Sequence, residues 1–199
     1  FAAFPLMAIM AGTTQIFLPV VGNVELGLLY PFLVVPVAIV VASNVVNMLG
    51  GFNGLEVGMG LVYTFSLGLF SFLKGSELSA VLFFTAFAGL LGLARYNFPP
   101  AKILSGDSLT YLLGAVLAVG AIIGNMERAV LLTMIPFIIQ AVLKFWSLKK
   151  TGHFASDLGS LQKDGTISSR YGSKVYSWTH LIMRSGRFTE IKIVAIMMG

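Results

Sequence analysis

The sequence predicts an all-α polytopic membrane protein, and three observations carry that prediction. Of its 199 residues, 57% are apolar and only 11% are charged, against roughly 25% charged in a soluble domain. The mean hydropathy is +0.90, and the apolar residues fall in runs close to the roughly 20 residues needed to cross a hydrocarbon core of about 30 Å. The connectors between these runs alternate between short and long. Together these features predict about six transmembrane helices plus the start of a seventh, within a single integral membrane domain over 1–199.

The first run, 2–20, carries no basic segment and no small-residue cleavage site, so it reads as a span and not as a signal peptide. Runs at 27–47, 56–73, 78–94, 108–124 and 129–147 supply five more spans, and another begins near 189. The chain opens on FAAFPLMAIM and closes on IVAIMMG, inside apolar runs at both ends. That pattern is expected of the C-terminal portion of a larger protein.

The connectors at 22–26, 74–77 and 125–128 are short, whereas those at 47–55, 95–107 and 148–188 are polar and rich in Gly, Pro and Asn. If the spans cross in sequence, all the long connectors share one side. Of the thirteen Lys and Arg, ten fall on that side: Arg95, Lys102, Lys144, Lys149, Lys150, Lys163, Arg170, Lys174, Arg184 and Arg187. Lys74 and Arg128 fall opposite, and Lys192 lies in the last run. Basic residues flanking spans concentrate in the cytoplasm, so the long loops are expected there. In the 148–188 loop, Lys163-Asp164-Gly165 signals a turn. Val175, Trp178, Leu181 and Ile182 then recur at helical spacing. This predicts a short helix at headgroup level with Trp178 at the interface, the alternative being a plain linker.

Several classes are excluded. There is no Cys, hence no disulfide framework and no thiolate metal site, and the only His are His153 and His180. No nucleophile elbow, P-loop or HExxH occurs. The net charge of +5 reads as membrane orientation and not as a nucleic-acid footprint.

Three constellations fall on the expected cytoplasmic side. The first is NVVNMLGGFNGLE, residues 44–56. Asn44 and Asn47 are three apart and share a helix face; with Asn53 and Glu56 they gather polar groups where hydrocarbon meets water, at a cost unless something is bound. Their amide oxygens suit Mg²⁺ or Ca²⁺, or they cap the helix and bind neighbouring carbonyls. The second is FPPAKILSGDS, residues 98–108. Here Pro99 and Pro100 force an extended approach, and Asp107 fits both a helix N-cap and a metal carboxylate, spacing alone favouring the cap. The third is KKTGHF, residues 149–154. Lys149, Lys150 and His153 there suit lipid headgroups or a clamp on phosphate.

In combination these motifs resemble the polyprenyl-phosphate N-acetylhexosamine-1-phosphate transferases, glycosyltransferase family 4. The resemblance is closest to the eukaryotic and archaeal UDP-GlcNAc:dolichyl-phosphate GlcNAc-1-phosphate transferases, the archaeal form above all. It rests on NVVNMLGGFNGLE after a span, on FPPAKILSGDS, and on Gly186-Arg187-Phe188-Thr189-Glu190 before the last span. The bacterial peptidoglycan-precursor branch is less similar, having an Asp in the first motif and a His-rich last loop.

The resemblance implies transfer of N-acetylglucosamine-1-phosphate from UDP-GlcNAc to a polyprenyl or dolichyl phosphate, with release of UMP. That is the first step of lipid-linked oligosaccharide synthesis for N-glycosylation. It implies Mg²⁺, with Mn²⁺ as substitute, held by Asn47 and Asp107; Asn53 facing the nucleotide beside the GGFNG backbone; and His153 with Lys149 or Lys150 on the sugar-phosphate. Asn44, Gly51, Glu56 and Lys102 complete the implied substrate-binding set. Where this loop has Lys, the family has Arg, and Lys cannot form a bidentate fork. The implied location is the cell membrane for an archaeal protein, or the endoplasmic reticulum membrane for a eukaryotic one, with a cytoplasmic active site; monomer and homodimer stay open. The family's paired aspartates have no counterpart here, since no Asp-Asp pair occurs, so these 199 residues alone are expected to be inactive. Two rival readings are a transporter, whose polar groups would gather at the midplane, and a non-catalytic membrane scaffold subunit.

Overall fold

The computed structural model describes residues 15–18 and 22–198. Two short strands, β1 (Gln15–Leu18) and β2 (Gly22–Glu25), pair antiparallel with Gln15 opposite Glu25 and Leu18 opposite Gly22. Most of the span expected over 2–20 lies outside the described residues; its last part is strand and not helix. The second strand of the ribbon opens on Gly22 at φ +87°, a backbone conformation that glycine adopts readily.

A π-helical turn, Tyr30–Val34, leads into α1 (Val35–Asn47). Then come α2 (Leu55–Lys74), α3 (Glu77–Asn97) and α4 (Gly106–Gly124). With Tyr30–Asn47 counted as one, these are four helices long and apolar enough to cross a membrane. They match the runs expected at 27–47, 56–73, 78–94 and 108–124 within about three residues at each end.

The run at 129–147 is not one straight span. It divides into α5 (Glu127–Thr133) and α6 (Ile135–Thr151), bent by 57°. Pro136 stands in the first turn of α6, where its missing N–H costs nothing; in an unbroken helix it would have left a carbonyl of α5 unpaired. Counting the bent pair as one span gives five. The chain continues through a hairpin of β3 (Ser160–Leu161) and β4 (Ile167–Ser168), then α7 (Trp178–Ser185) and α8 (Glu190–Met198). The two small ribbons correct the all-α expectation, although helix dominates.

The turn expected at Lys163-Asp164-Gly165 closes the second hairpin. The Gly165 amide donates to the Gln162 carbonyl, and Asp164 accepts from both the amide and the hydroxyl of Thr166. Those bonds hold the Asp164 carboxyl below its ordinary value. Helix α7 lies where periodicity placed it, capped by the Ser177 hydroxyl. Its buried face is Thr179, His180, Ile182 and Met183, whereas Leu181 points outward.

Long apolar side chains such as Phe72, Leu73, Val81, Leu112 and Val142 point away from the bundle, as a lipid-facing surface requires. Inside, α1 packs along α4 and α2 along α3. The α1–α4 contact depends on Gly114, where a Cβ would come within 2.4 Å of the Ser43 Cα; close approach through small residues drives helix association in lipid. The Ser43 hydroxyl donates to the Tyr111 carbonyl across the same seam. The short connectors meet at one end of the bundle, where Lys74 Nζ donates to the carbonyls of Gly124 and Asn125, so the helix C-terminus of α4 receives a cation. Replacing Gly114 by Leu is expected to pry α1 from α4 and cost about 1–3 kcal/mol, read as a lowered unfolding midpoint in detergent.

Candidate active site

At the other end of the bundle the three long polar loops come together around a cavity of about 540 Å³. The 48–54 loop is its floor, and this loop is held from outside by side chains. The Asn97 carboxamide, 1% exposed, accepts from the Gly54 amide and donates to the Ile103 carbonyl, linking the first and second motifs. Glu190, the last residue of the GRFTE motif, accepts from the Asn53 amide at 2.8 Å. Glu56 turns back to accept from the Gly51 amide at 2.7 Å. Gly54 has φ +84°, and a Cβ there would lie 2.9 Å from the Phe98 ring, so the turn into α2 requires glycine.

Asn44, Asn47, Gly51, Asn53, Glu56 and Asp107 all line this cavity. The Asn44 amide nitrogen donates to the Val40 carbonyl. The Asn47 carboxamide oxygen accepts from the Thr110 hydroxyl, which ties the end of α1 to the first turn of α4. Asp107 is the second residue of α4, and the N-cap position belongs to Ser105 without a side-chain bond. The Asp107 carboxylate is exposed and has no partner among the described residues. Asn47 and Asp107 therefore offer the cavity two hard oxygen donors. This suits Mg²⁺, which keeps several waters and takes only one or two carboxylates besides phosphate. Among the described residues no cluster of three or more His, Asp or Glu forms a closed metal site.

Lys102, Lys149, Lys150 and His153 do not line the cavity. Lys149 and Lys150 lie on the exposed last turn of α6, with Lys150 Nζ 5.0 Å from the Trp146 ring. His153 is exposed, its Nδ1 3.0 Å from the Thr151 carbonyl. The neighbouring Phe154 lines the cavity instead.

Two charged lining residues, Lys144 and Asp157, are not among the candidates that the sequence offers. They form a buried ion pair at 2.8 Å. The signal for Lys144 was present, as a cation inside an apolar run; Asp157 had none. Behind the pair, the His180 ring is fully buried. Its Nδ1 accepts from the Tyr176 amide, so its Nε2 donates to the Ser156 carbonyl. Burial lowers the His180 pKa from its ordinary 6.5, outweighing the Ser156 carbonyl and Asp157, which favour the charged form.

The sequence profile described as glycosyl transferase family 4 matches residues 1–125, and the chain belongs to that family. It is 33% identical over 201 residues to a putative UDP-N-acetylglucosamine–dolichyl-phosphate N-acetylglucosaminephosphotransferase of Sulfolobus acidocaldarius, covering 100% of this chain and 60% of that protein. A Schizosaccharomyces pombe protein named as the same transferase is 30% identical over 163 residues, covering 71% and 36% of the two chains. A phospho-N-acetylmuramoyl-pentapeptide-transferase of Shouchella clausii is 35% identical over 134 residues, covering 64% and 40%. The chain thus spans about 60% of the length of its archaeal relatives. With its apolar helices, this membership makes it a multi-pass membrane protein, and the resemblance to the archaeal and eukaryotic transferases holds.

Below the ordinary His pKa of 6.5 an unfolded chain takes up a proton at His180 that the folded chain refuses. Stability is therefore complete above that pH and declines as pH falls through it. The protection factors of amides 153–158, that is, exchange corrected for its intrinsic slowing in acid, are expected to fall between about pH 7.5 and about pH 5.5, and His180→Gln is expected to flatten that dependence.

Proposed function

We propose that the full-length protein transfers N-acetylglucosamine-1-phosphate from UDP-GlcNAc to a membrane polyprenyl phosphate of the dolichyl type, releasing UMP. The observation that carries this reading is the convergence of two family motifs on one cavity, with Glu190 of the third holding the backbone of its floor and the Asp107 carboxylate left unpartnered on the same cavity as Asn47. The relatives' names supply the substrates. We place the cavity on the cytoplasmic side, where the basic loop residues gather. Six spans and part of a seventh remain the reading of the hydropathy pattern. The membrane is the cell membrane in an archaeon, and the product would begin a lipid-linked oligosaccharide for N-glycosylation.

The residues divide the work. Asn47 and Asp107 would hold Mg²⁺ on the diphosphate. When bound, that ion would neutralise charge developing on the phosphoryl oxygens. The Thr110 hydroxyl fixes the Asn47 carboxamide, so its oxygen meets the ligand without reorganising. The Asn53 side chain would read the nucleotide, its backbone being immobilised by Glu190. Glu56 acts through the loop, since its carboxylate is engaged with Gly51.

The acceptor has a path as well. An apolar groove of about 280 Å³ runs along the π-helical turn and α1 from Tyr30 to Val45, flanked by Ala118 and Ala121 of α4, by Ile138 of α6 and by Met134, which joins α5 to α6. Fifteen residues of helix rise about 22 Å, and Val45 adjoins the cavity residues Asn44 and Asn47. A prenyl chain in this groove would bring its phosphate to the donor.

Assay of the full-length protein with several UDP-sugars and a polyprenyl phosphate tests the reading. UMP release is expected with UDP-GlcNAc. Asp107→Asn is expected to lower it by about two orders of magnitude or more with the unfolding midpoint little changed, because the carboxylate has no side-chain partner among the described residues and gives up only its attraction to the helix N-terminus, about 0.3–1 kcal/mol. Near wild-type turnover in Asp107→Asn at limiting Mg²⁺ would sink the metal assignment.

A further inference from the structure

Gln140 is the one fully buried carboxamide of α6, 0% exposed. Its surroundings fix its orientation. Nε2 donates to the Met48 carbonyl at 3.1 Å and to Asp157 Oδ1 at 2.7 Å. Oε1 accepts from the Ser177 hydroxyl at 3.2 Å and the Trp178 amide at 2.8 Å. Two donors and two lone pairs exhaust a glutamine, so none of its capacity is unused. One turn further along α6, Lys144 Nζ pairs with Asp157 Oδ1 and donates to the Ala155 carbonyl at 2.6 Å. The Thr179 hydroxyl donates to the Asp157 carbonyl.

These bonds join four separate parts of the chain: the 48–54 floor of the cavity, α6, the 152–159 segment and the start of α7. Phe154, Asp157 and Lys144 line the cavity, so the 152–159 segment is one of its walls. A buried ion pair is a poor choice for stability alone, because desolvation consumes most of its Coulombic gain and well-packed apolar residues often do as well. What it does provide is a single geometry, since the bonded partners admit only one register.

We propose that Gln140, Asp157 and Lys144 form a cross-tie that sets the 152–159 wall against the Asn47–Asn53 floor, and so fixes affinity for the donor nucleotide-sugar without touching the reacting atoms. They are positioning residues. The consequence for kinetics rests on the transfer reaction proposed above; the structural claim does not.

The test uses the full-length protein in lipid nanodiscs and two readouts, amide exchange over 153–158 and steady-state kinetics with UDP-GlcNAc. Lys144→Met removes the cation and strands Asp157. Asp157→Asn keeps shape and the Gln140 bond, and serves where Lys144→Met fails to fold. Either variant is expected to speed exchange over 153–158 by about tenfold or more and to raise the donor KM by about tenfold while kcat changes by less than about threefold. Lys144→Arg, which keeps the charge and donors, is expected to recover much of both. Unchanged exchange in both destabilising variants would overturn the cross-tie. A fall in kcat with KM unchanged would overturn the positioning role and make Lys144 a catalytic residue. If the wild type transferred nothing from any UDP-sugar, the proposed reaction would fall, and exchange over 153–158 would still decide whether the cross-tie exists.

Discussion

A loop of exposed backbone at the edge of a hydrocarbon layer has to find its hydrogen-bond partners within the protein, and the arrangement of this molecule follows from how the 48–54 loop finds them. Met48, Gly51, Asn53 and Gly54 each bond to a side chain: Gln140, Glu56, Glu190 and Asn97 respectively. Three of these four partners come from distant elements, so satisfying one short loop draws α3, α6 and α8 to the same end of the bundle. The cavity lies over this loop, with α1, α3, α4 and α6 supplying further lining residues. A lost carboxamide here would leave a buried amide or carbonyl unpaired, at about 1–3 kcal/mol.

The same arrangement sorts the acids lining the cavity by partner. Glu56 is occupied with a backbone amide, and Asp157 with a lysine and a glutamine. Asp107 stands apart, at the start of α4, where the helix N-terminus favours an anion. Equal side-chain chemistry thus yields unequal availability. The polar groups gather at one end of the bundle and not at its midplane, which is the pattern of chemistry on a membrane surface more than of passage through it.

Much of this was legible in the sequence, since apolar runs report helices wherever lipid is the solvent. The runs at 56–73 and 108–124 returned as α2 and α4 with nearly the expected bounds. Motif spacing likewise brought Asn47, Asn53 and Asp107 to one place. The failures have physical causes. Hydropathy averages over Pro136, so one expected span became two helices at 57°. Lys149, Lys150 and His153 lie next to the cavity in sequence, but the helical rotation of α6 turns the lysines outward while Lys144 turns in. Asp157 and Gln140 meet only through tertiary contact, which no local pattern encodes. The Asn97 hub escaped notice because a single Asn at a helix end reads as a terminator.

The β3–β4 hairpin has a practical side. Its tip, Lys163-Asp164-Gly165, is exposed, while its second strand is tied inward: the Ile167 amide donates to the Phe188 carbonyl, two residues before the Glu190 that holds Asn53. The tip is therefore a handle on the cavity floor. A fluorophore or spin label attached at this exposed tip is mechanically linked, through the Ile167–Phe188 bond and the Glu190 carboxylate, to the loop that carries Asn53.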